Sequence, residues 1–476
     1  MPMTDKIGIH WFRLDLRLND NPSLNQLSKK VDTIIPIYIY EENIEIGQAS
    51  KCWLEKSLEN INNELCKLDS KLYIFKGSPK KIIDKIIADK DILCFSWNRL
   101  YDKHSIKRDK EIKISLNKKS IDCNTFNGYL LSEPWEVKNK SGNFFKVFTP
   151  FWKANFETLL NKKKLLSSSN KYNFYKKDIN SAFKLDELKL NIPKKKWMDR
   201  ILSYWDIGEN AANLKLKKFI NNKLYNYSTG RDRLDTDFTS KISPHLHFGE
   251  ISPLRIFTEV MKSKIDTDNK KKYLSEIGWR DFSYNLLFNY PAMNEFPIQS
   301  KFKKFQWLKD KKNLIIWKLG KTGIPIIDAG MKELYEIGWM HNRVRMIVGS
   351  FLTKNLLLHW KEGERWFFDT LVDADIGSNS TGWQWISGSG TDTSPYFRIF
   401  NPILQGKKYD PKGQYVKKFL PSLDKIPEKF IHCPWEMTVE EQEKYNFILG
   451  RDYPKPIVDL SDTRKTALAA FKKINE

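Results

Sequence analysis

The chain has 476 residues, 41% hydrophobic and 13% aromatic, enough for two or three buried cores and unlike a disordered or collagen-like polymer. No apolar run approaches the ~18 residues of a membrane helix, and Cys52, Cys66, Cys94, Cys123 and Cys433 form no CxxC and no ligand cluster. Secreted, disulfide-stapled and membrane readings are therefore not expected, and a reducing, cytosolic setting is. The formal charge of +23 is uneven: residues 1–137 hold 22 basic and 20 acidic side chains, residues 138–200 hold 16 and 5. A polyanion would dock beyond the first domain.

Apolar, β-branched runs at Ile7–Phe12, Thr33–Tyr40, Lys71–Phe75, Ile92–Trp97 and Ile121–Phe126 read as strands. Amphipathic stretches between them, such as Lys51–Leu68 and Pro79–Ala88, read as helices. This alternation predicts βαβ units and a doubly wound, five-stranded parallel sheet, Rossmann-like but lacking the GxGxxG fingerprint after its first strand. Residues 133–200, with Pro134, the KVFTPFWK segment and the polar tract Lys162–Lys171, read as a connector crossing the surface. From residue 201 onward helical periodicity dominates, including a predicted His341–Trp360 helix, so an all-α second domain follows.

Sixteen tryptophans are present, seven of them between Trp307 and Trp385. An aromatic core explains such a cluster, and so does a file of oxidisable indoles leading from a buried cofactor to the surface. Gly320-Lys321-Thr322 imitates the end of a phosphate-binding loop, but Ile315 stands where that loop needs Gly. His245, His247, His341 and His359 lack partners at metal-ligand spacing and read as structural, and no metal site is expected. Glu276, Trp279, Arg280 and Ser283 share one helix face. That stripe is either a salt-bridged surface or a stacking platform for an unstacked base. Asp373-Ala374-Asp375, Asn379, Trp383 and Trp385 form a polar–aromatic cluster that would be costly to bury without a ligand.

HWFRLDLRLNDN, KVFTPFWK, TSKISPHLHFGEISP, GKTGIPIIDAGM, GWMHNRVRM, DADIGSNSTGWQW and PYFRIFNPILQG follow one another nearly end to end. In that order they resemble the photolyase/cryptochrome family, in particular its bacterial class I cyclobutane pyrimidine dimer (CPD) photolyases. The resemblance implies an α/β antenna domain over 1–132, an interdomain connector over 133–200 and a helical FAD-binding catalytic domain over 201–476. It implies blue-light electron transfer from reduced FAD to a flipped-out pyrimidine dimer in UV-damaged DNA. The flavin-binding positions it implies are Tyr227, Thr239, Ser240, Lys241, Ile242, Ser243, Tyr273, Arg280, Asp373, Ala374, Asp375 and Asn379, with Asn379 facing flavin N5. Trp383, Trp360 and Trp307 match the electron-transfer chain. Glu276, Trp279, Asn342, Met346 and Trp385 match the dimer pocket, and Arg231, Arg280, Arg343 and Gln405 match DNA-side positions.

Asn342 and Met346 stand where relatives that repair (6-4) photoproducts carry histidines, and Asn379 stands where plant cryptochromes carry Asp. Both differences favour CPD repair by a monomer over the alternative, a blue-light photoreceptor without repair activity. Lys241 replaces the usual Arg of the flavin-phosphate motif, and Phe238 and Tyr273 also depart from common residues. At the folate antenna positions the chain has Ser105, with His104 beside it, and Asn294-Glu295. 5,10-Methenyltetrahydrofolate is the first antenna expectation, with a deazaflavin or no antenna as alternatives.

Overall fold

The structure is a computed structural model that describes residues 5–161, 171–179, 181–190, 195–392 and 397–475. Most of the polar tract Lys162–Lys171, and Pro395-Tyr396 of the PYFRIFNP motif, lie outside the described residues. The chain divides into two compact units, Met1–Tyr225 with Ser240–Pro291 and Asn226–Thr239 with Ala292–Glu476.

The first unit contains a parallel sheet of β1 (Ile7–Phe12), β2 (Thr33–Tyr40), β3 (Tyr73–Lys76), β4 (Cys94–Asn98) and β5 (Asp122–Phe126), in the order β3-β2-β1-β4-β5. Central β1 pairs Ile9 with Ile35 on one side and with Phe95 on the other. β1 and β2 are buried with almost no alternation because both sheet faces are covered there, as parallel sheets require, whereas edge strand β5 reads DCNTF and is only partly buried. The strand order reverses between β1 and β4, where doubly wound folds open a ligand crevice beyond the strand ends. Here Arg13, 6% exposed, fills that place. Its guanidinium pairs with Asp109 at 2.6 Å and lies 5.0 and 5.8 Å from the rings of Trp11 and Trp97.

The expected surface connector contains packed structure. The Phe148–Asn161 helix buries Phe148, Phe151, Asn155 and Leu159. Farther on, Phe174 bridges to Ile34 and Phe183 to Ile74. Polar composition hid these contacts, because a few aromatic side chains carry all the burial.

Two sequence motifs lock together in this unit. Arg17, 1% exposed, donates to Gly249 O at 2.8 Å and Gly128 O at 2.9 Å, and Leu16 N donates to Phe248 O at 3.1 Å. Gly249 lies at φ +67°, and an added Cβ would sit 2.1 Å from Leu14 O, so only glycine fits. His245 bonds Glu250 at 2.5 Å, and Glu250 accepts from Trp53 Nε1 at 3.0 Å, confirming His245 as structural.

The second unit is helical around a core that includes Trp317, Ile327, Val344, Val348, Phe351, Trp360 and Trp383. In the GKTG segment, Thr322 N and Oγ1 donate to Asp328, each at 2.7 Å, and Tyr453 donates to the same carboxylate at 2.6 Å. The loop thus binds its own buried carboxylate.

The predicted His341–Trp360 helix is two helices, Asn342–Ser350 and Trp360–Thr370. A π-helical turn, Phe351–Asn355, follows the first, and Leu357 then turns left-handed at φ 50°. Leu358 bridges to Leu308, and His359 caps the second helix. Burial of every residue from Ile347 to Leu358, the polar Ser350, Thr353, Lys354 and Asn355 included, concealed this interruption, because burial on all sides leaves no periodicity to read.

Candidate functional site

In the second unit, the Ile376–Ser387 helix organises the polar–aromatic cluster. Asp375 is its N-cap and accepts from Ser378 N at 2.6 Å. Asp373 accepts from Arg345 Nη2 at 2.9 and 3.1 Å. Both carboxylates are under a tenth exposed, and each has the charged or hydrogen-bonding partner that burial demands. Ala374 between them is buried.

One turn into the helix, Asn379 Nδ2 donates to Glu364 O at 3.0 Å. The carboxamide orientation follows from this bond and presents Oδ1 as an acceptor. Glu364 is itself buried and bonded to Ser380, and burial pushes its carboxyl up. A further turn on, Trp383 is 3% exposed, with its ring edge-on to Phe367 at 5.0 Å. It lies against Gly363, where an added Cβ would meet ring carbon Cη2 at 2.0 Å. Sequence reasoning missed Gly363 and Glu364; the available signal was a glycine and an acid one turn before Phe367 on an aromatic helix.

Trp360 is 1% exposed and Trp307 partly buried. Of the remaining clustered indoles, Trp317 is core and donates to Val348 O at 3.2 Å, and Trp339 is buried with Arg345 5.8 Å from its ring. Trp385 is half-buried.

Asn342 opens the Asn342–Ser350 helix with its side chain exposed, and Met346 follows one turn on with Sδ 3.9 Å from Asn342 Nδ2. Arg343 donates to Asp232 at 2.7 Å and lies 4.5 Å over Tyr409. Arg231 reaches the same Asp232 at 3.8 Å and lies 5.7 Å over Tyr227. Two expected DNA-side arginines therefore share a single carboxylate, and one of them also lies over an expected flavin residue. Gln405 sits on the Pro402–Tyr409 helix, and Thr239 donates to Asp237 at 3.2 Å.

The other expected residues lie in the first unit. Lys241 is left-handed at φ 49°, a rare conformation for a side chain of this size, and Nζ lies 3.0 Å from Tyr204 OH. Ile242 is buried, and Ser243 begins the short Ser243–His247 helix. Tyr273 is buried, and burial pushes the ionisation of its hydroxyl up. On the Thr267–Asn289 helix, Glu276 lies 3.9 Å from Lys272, and Trp279 stacks on Phe148 with centroids 3.8 Å apart and planes 10° apart. The KVFTPFWK motif, read from sequence as part of a surface connector, thus supplies the support beneath Trp279. Arg280 is 8% exposed and donates to Tyr129 O at 2.6 Å, with its guanidinium 4.0 Å over the Tyr129 ring.

Each unit by itself offers groups that suit parts of a flavin dinucleotide. In the first, the hydroxyls of Ser240 and Ser243 and the Lys241 ammonium suit phosphate; in the second, the Thr239 hydroxyl suits phosphate, the Asp375 carboxylate a ribose hydroxyl and Asn379 Oδ1 a ring N–H. Among the described residues, no group of three or more His, Cys, Asp or Glu side chains could hold a metal, and no helix is long and apolar enough to cross a membrane.

Residues 8–167 match the family described as DNA photolyase, and residues 273–473 match the FAD binding domain of DNA photolyase. The deoxyribodipyrimidine photo-lyase of Agrobacterium fabrum is 40% identical, with 98% of each chain covered. Cryptochrome-2 of Arabidopsis thaliana is 35% identical over 99% of this chain and 80% of its own length. The crystal structure of a bacterial class III photolyase from Agrobacterium tumefaciens superposes with a TM-score of 0.95 at 39% identity, covering 100% of this chain and 99% of that one. The chain belongs to the photolyase/cryptochrome family and joins an N-terminal five-stranded parallel α/β fold to a largely helical FAD-binding domain.

Proposed function

We propose that this chain is a deoxyribodipyrimidine photolyase that uses blue light to split cyclobutane pyrimidine dimers in UV-damaged DNA. The observation that carries the proposal is full-length identity of 40% to a photo-lyase, together with Asn342 and Met346 in the proposed lesion pocket. The division we propose with it is an antenna domain over 1–132, a connector over 133–200 and a catalytic domain over 201–476. Class I was expected from motif order, but those motifs do not separate the classes, and likeness to the Agrobacterium structure favours class III.

When bound and reduced, FAD would supply the electron that opens the cyclobutane ring and accept it back afterwards. Thr239, Ser240, Lys241 and Ser243 would hold its phosphates, with Tyr227, Ile242, Tyr273 and Ala374 packing around it. Asp373 is paired with Arg345, and Asp375 is oriented by Ser378. Asn379, with Nδ2 committed to Glu364 O, would accept the N5–H of reduced flavin through Oδ1. Trp383, Trp360 and Trp307 would carry the electrons that photoreduce the cofactor. Trp279, stiffened by Phe148, and Trp385 would stack on the extruded bases, while Glu276 and Asn342 would bond their polar edges. Arg231, Arg343 and Gln405 would face the DNA backbone; the buried Arg280 guanidinium instead serves packing on Tyr129.

Folate remains the proposed antenna, because a planar chromophore in the β1–β4 crevice would have to expel buried Arg13. We place the protein in the bacterial cytoplasm as a monomer.

Photoreduced protein mixed with UV-irradiated oligo-thymidine should restore absorbance at the thymine band under blue light and not in the dark. Failure to restore it with FAD bound and reduced would refute repair. The 35% identity to a plant cryptochrome then makes photoreception the remaining reading, with a light-dependent protein partner as its signature.

A further inference from the structure

An imidazole lies between the two outer indoles of the proposed electron path. His359 stacks on Trp360 with centroids 5.5 Å apart and planes 30° apart, and its ring is also 5.3 Å from that of Trp307. The Leu308–Leu358 bridge sets this approach, because Trp307 and His359 flank the two bridged residues. His359 is also the N-cap of the Trp360–Thr370 helix, with Nδ1 accepting from Lys361 N at 3.1 Å. A ring nitrogen that accepts a hydrogen bond carries no proton, so the cap selects the Nε2–H tautomer and a neutral ring. Protonation would set a donor against the Lys361 N–H and break the cap.

The surroundings act in the same direction. Burial pushes this imidazole down, as do Lys361 and Arg365, against an opposing pull from Glu362. The Phe305–Leu308 segment that carries Trp307 reads Phe-Gln-Trp-Leu and brings no titratable group. On the adjoining π-helical turn, the one charged side chain, Lys354, donates to Ser387 O at 2.8 Å.

We propose that His359 is a positioning residue of light-driven electron transfer, a capped neutral imidazole that keeps Trp360 and Trp307 oxidisable. This rests on the assignment of Trp383, Trp360 and Trp307 as the path. One electron leaves Trp383 for photoexcited oxidised flavin, one passes from Trp360 to Trp383, and one from Trp307 to Trp360. A single hole is left on Trp307, which an external thiol refills with one electron. A cationic ring beside both outer indoles would oppose a hole on either by Coulomb repulsion. The hole would then be held back on Trp383, whose ring neighbours are Phe367 and Trp317.

The test uses flavin-loaded wild type, His359→Asn and Trp307→Phe. Transient absorption of tryptophanyl radicals is followed after a flash across pH 4.5–8, and the imidazole is titrated by 15N NMR in the dark. Asparagine keeps a cap acceptor and removes the titrating ring. The wild-type ring is expected as the Nε2–H tautomer, protonating below the ordinary histidine range. The long-lived radical yield should fall by about tenfold through that same midpoint, and His359→Asn should lack this step. A ring that titrates in or above the ordinary range overturns the proposal, as does the same pH step in His359→Asn. Should that variant not fold, a wild-type radical step away from the NMR midpoint overturns it equally. An outer radical that persists in Trp307→Phe overturns the electron path itself, a result distinct from failure of His359 alone.

Discussion

Gly363→Ala tests how tightly the site is packed around Trp383. The added Cβ would lie 2.0, 2.4 and 2.6 Å from ring carbons Cη2, Cζ3 and Cζ2, where carbon contacts are ordinarily about 3.5–4.0 Å. The indole would have to retreat by ~1.5 Å. Its burial and its contacts with Phe367 and Trp317 leave no open direction. Alanine gains about 0.8–1 kcal/mol of helix propensity over glycine, while overpacking a close-packed core costs about 1–3 kcal/mol. A 2.0 Å approach puts the cost in the upper part of that range, about 2–3 kcal/mol, so overpacking should win by roughly 1–2 kcal/mol. In a unit of about 200 residues, that corresponds to a melting temperature lower by about 2–8 °C. The same shift disturbs the neighbouring Glu364 carbonyl that orients Asn379, so flavin photoreduction should slow by about tenfold or more. Thermal melts and bleaching of the blue flavin band in thiol measure the two effects. A variant that melts and bleaches like wild type would refute the packing argument.

Trp279→Ala should lose about 1–3 kcal/mol of dimer affinity by removing a stacked base partner, measured by competition between irradiated and intact oligonucleotides; equal losses on both would contradict a lesion-specific platform. Phe148→Ala should weaken the same discrimination without touching DNA, because it removes the ring beneath Trp279. Asn342→His should lower the repair rate at unchanged FAD content, read from the oligo-thymidine assay. Burial raises Asp328 from 3.8 to about 6. The folded chain therefore binds this proton more tightly than the unfolded chain, and the group's contribution is full below pH 4 and lost as pH rises through 6. That loss is on the order of 2–3 kcal/mol. Asp328→Asn should flatten the stability profile between pH 4 and 7, whereas parallel melting curves would show that Asp328 does not titrate there.

Local pattern determined the sheet and the motif residues. β-branched runs bounded by helix-length segments allow little besides a parallel sheet, and all five strands lie within two residues of their expected ends. The acids, carboxamide and indoles of the Asp373–Trp385 stretch were also legible, because so many polar and aromatic groups within 13 residues would be costly to bury without a ligand. Tertiary structure decided what those side chains do. No spacing reveals that Asn379 spends its amide on the Glu364 carbonyl, that Gly363 exists to admit Trp383, or that Phe148 supports Trp279 from 131 positions away. The break before Trp360 was equally hidden, since a segment buried on every side carries no periodicity. Sequence spacing encodes what lies on one helix or strand, and the contacts that tune this site join different elements, so only packing could specify them.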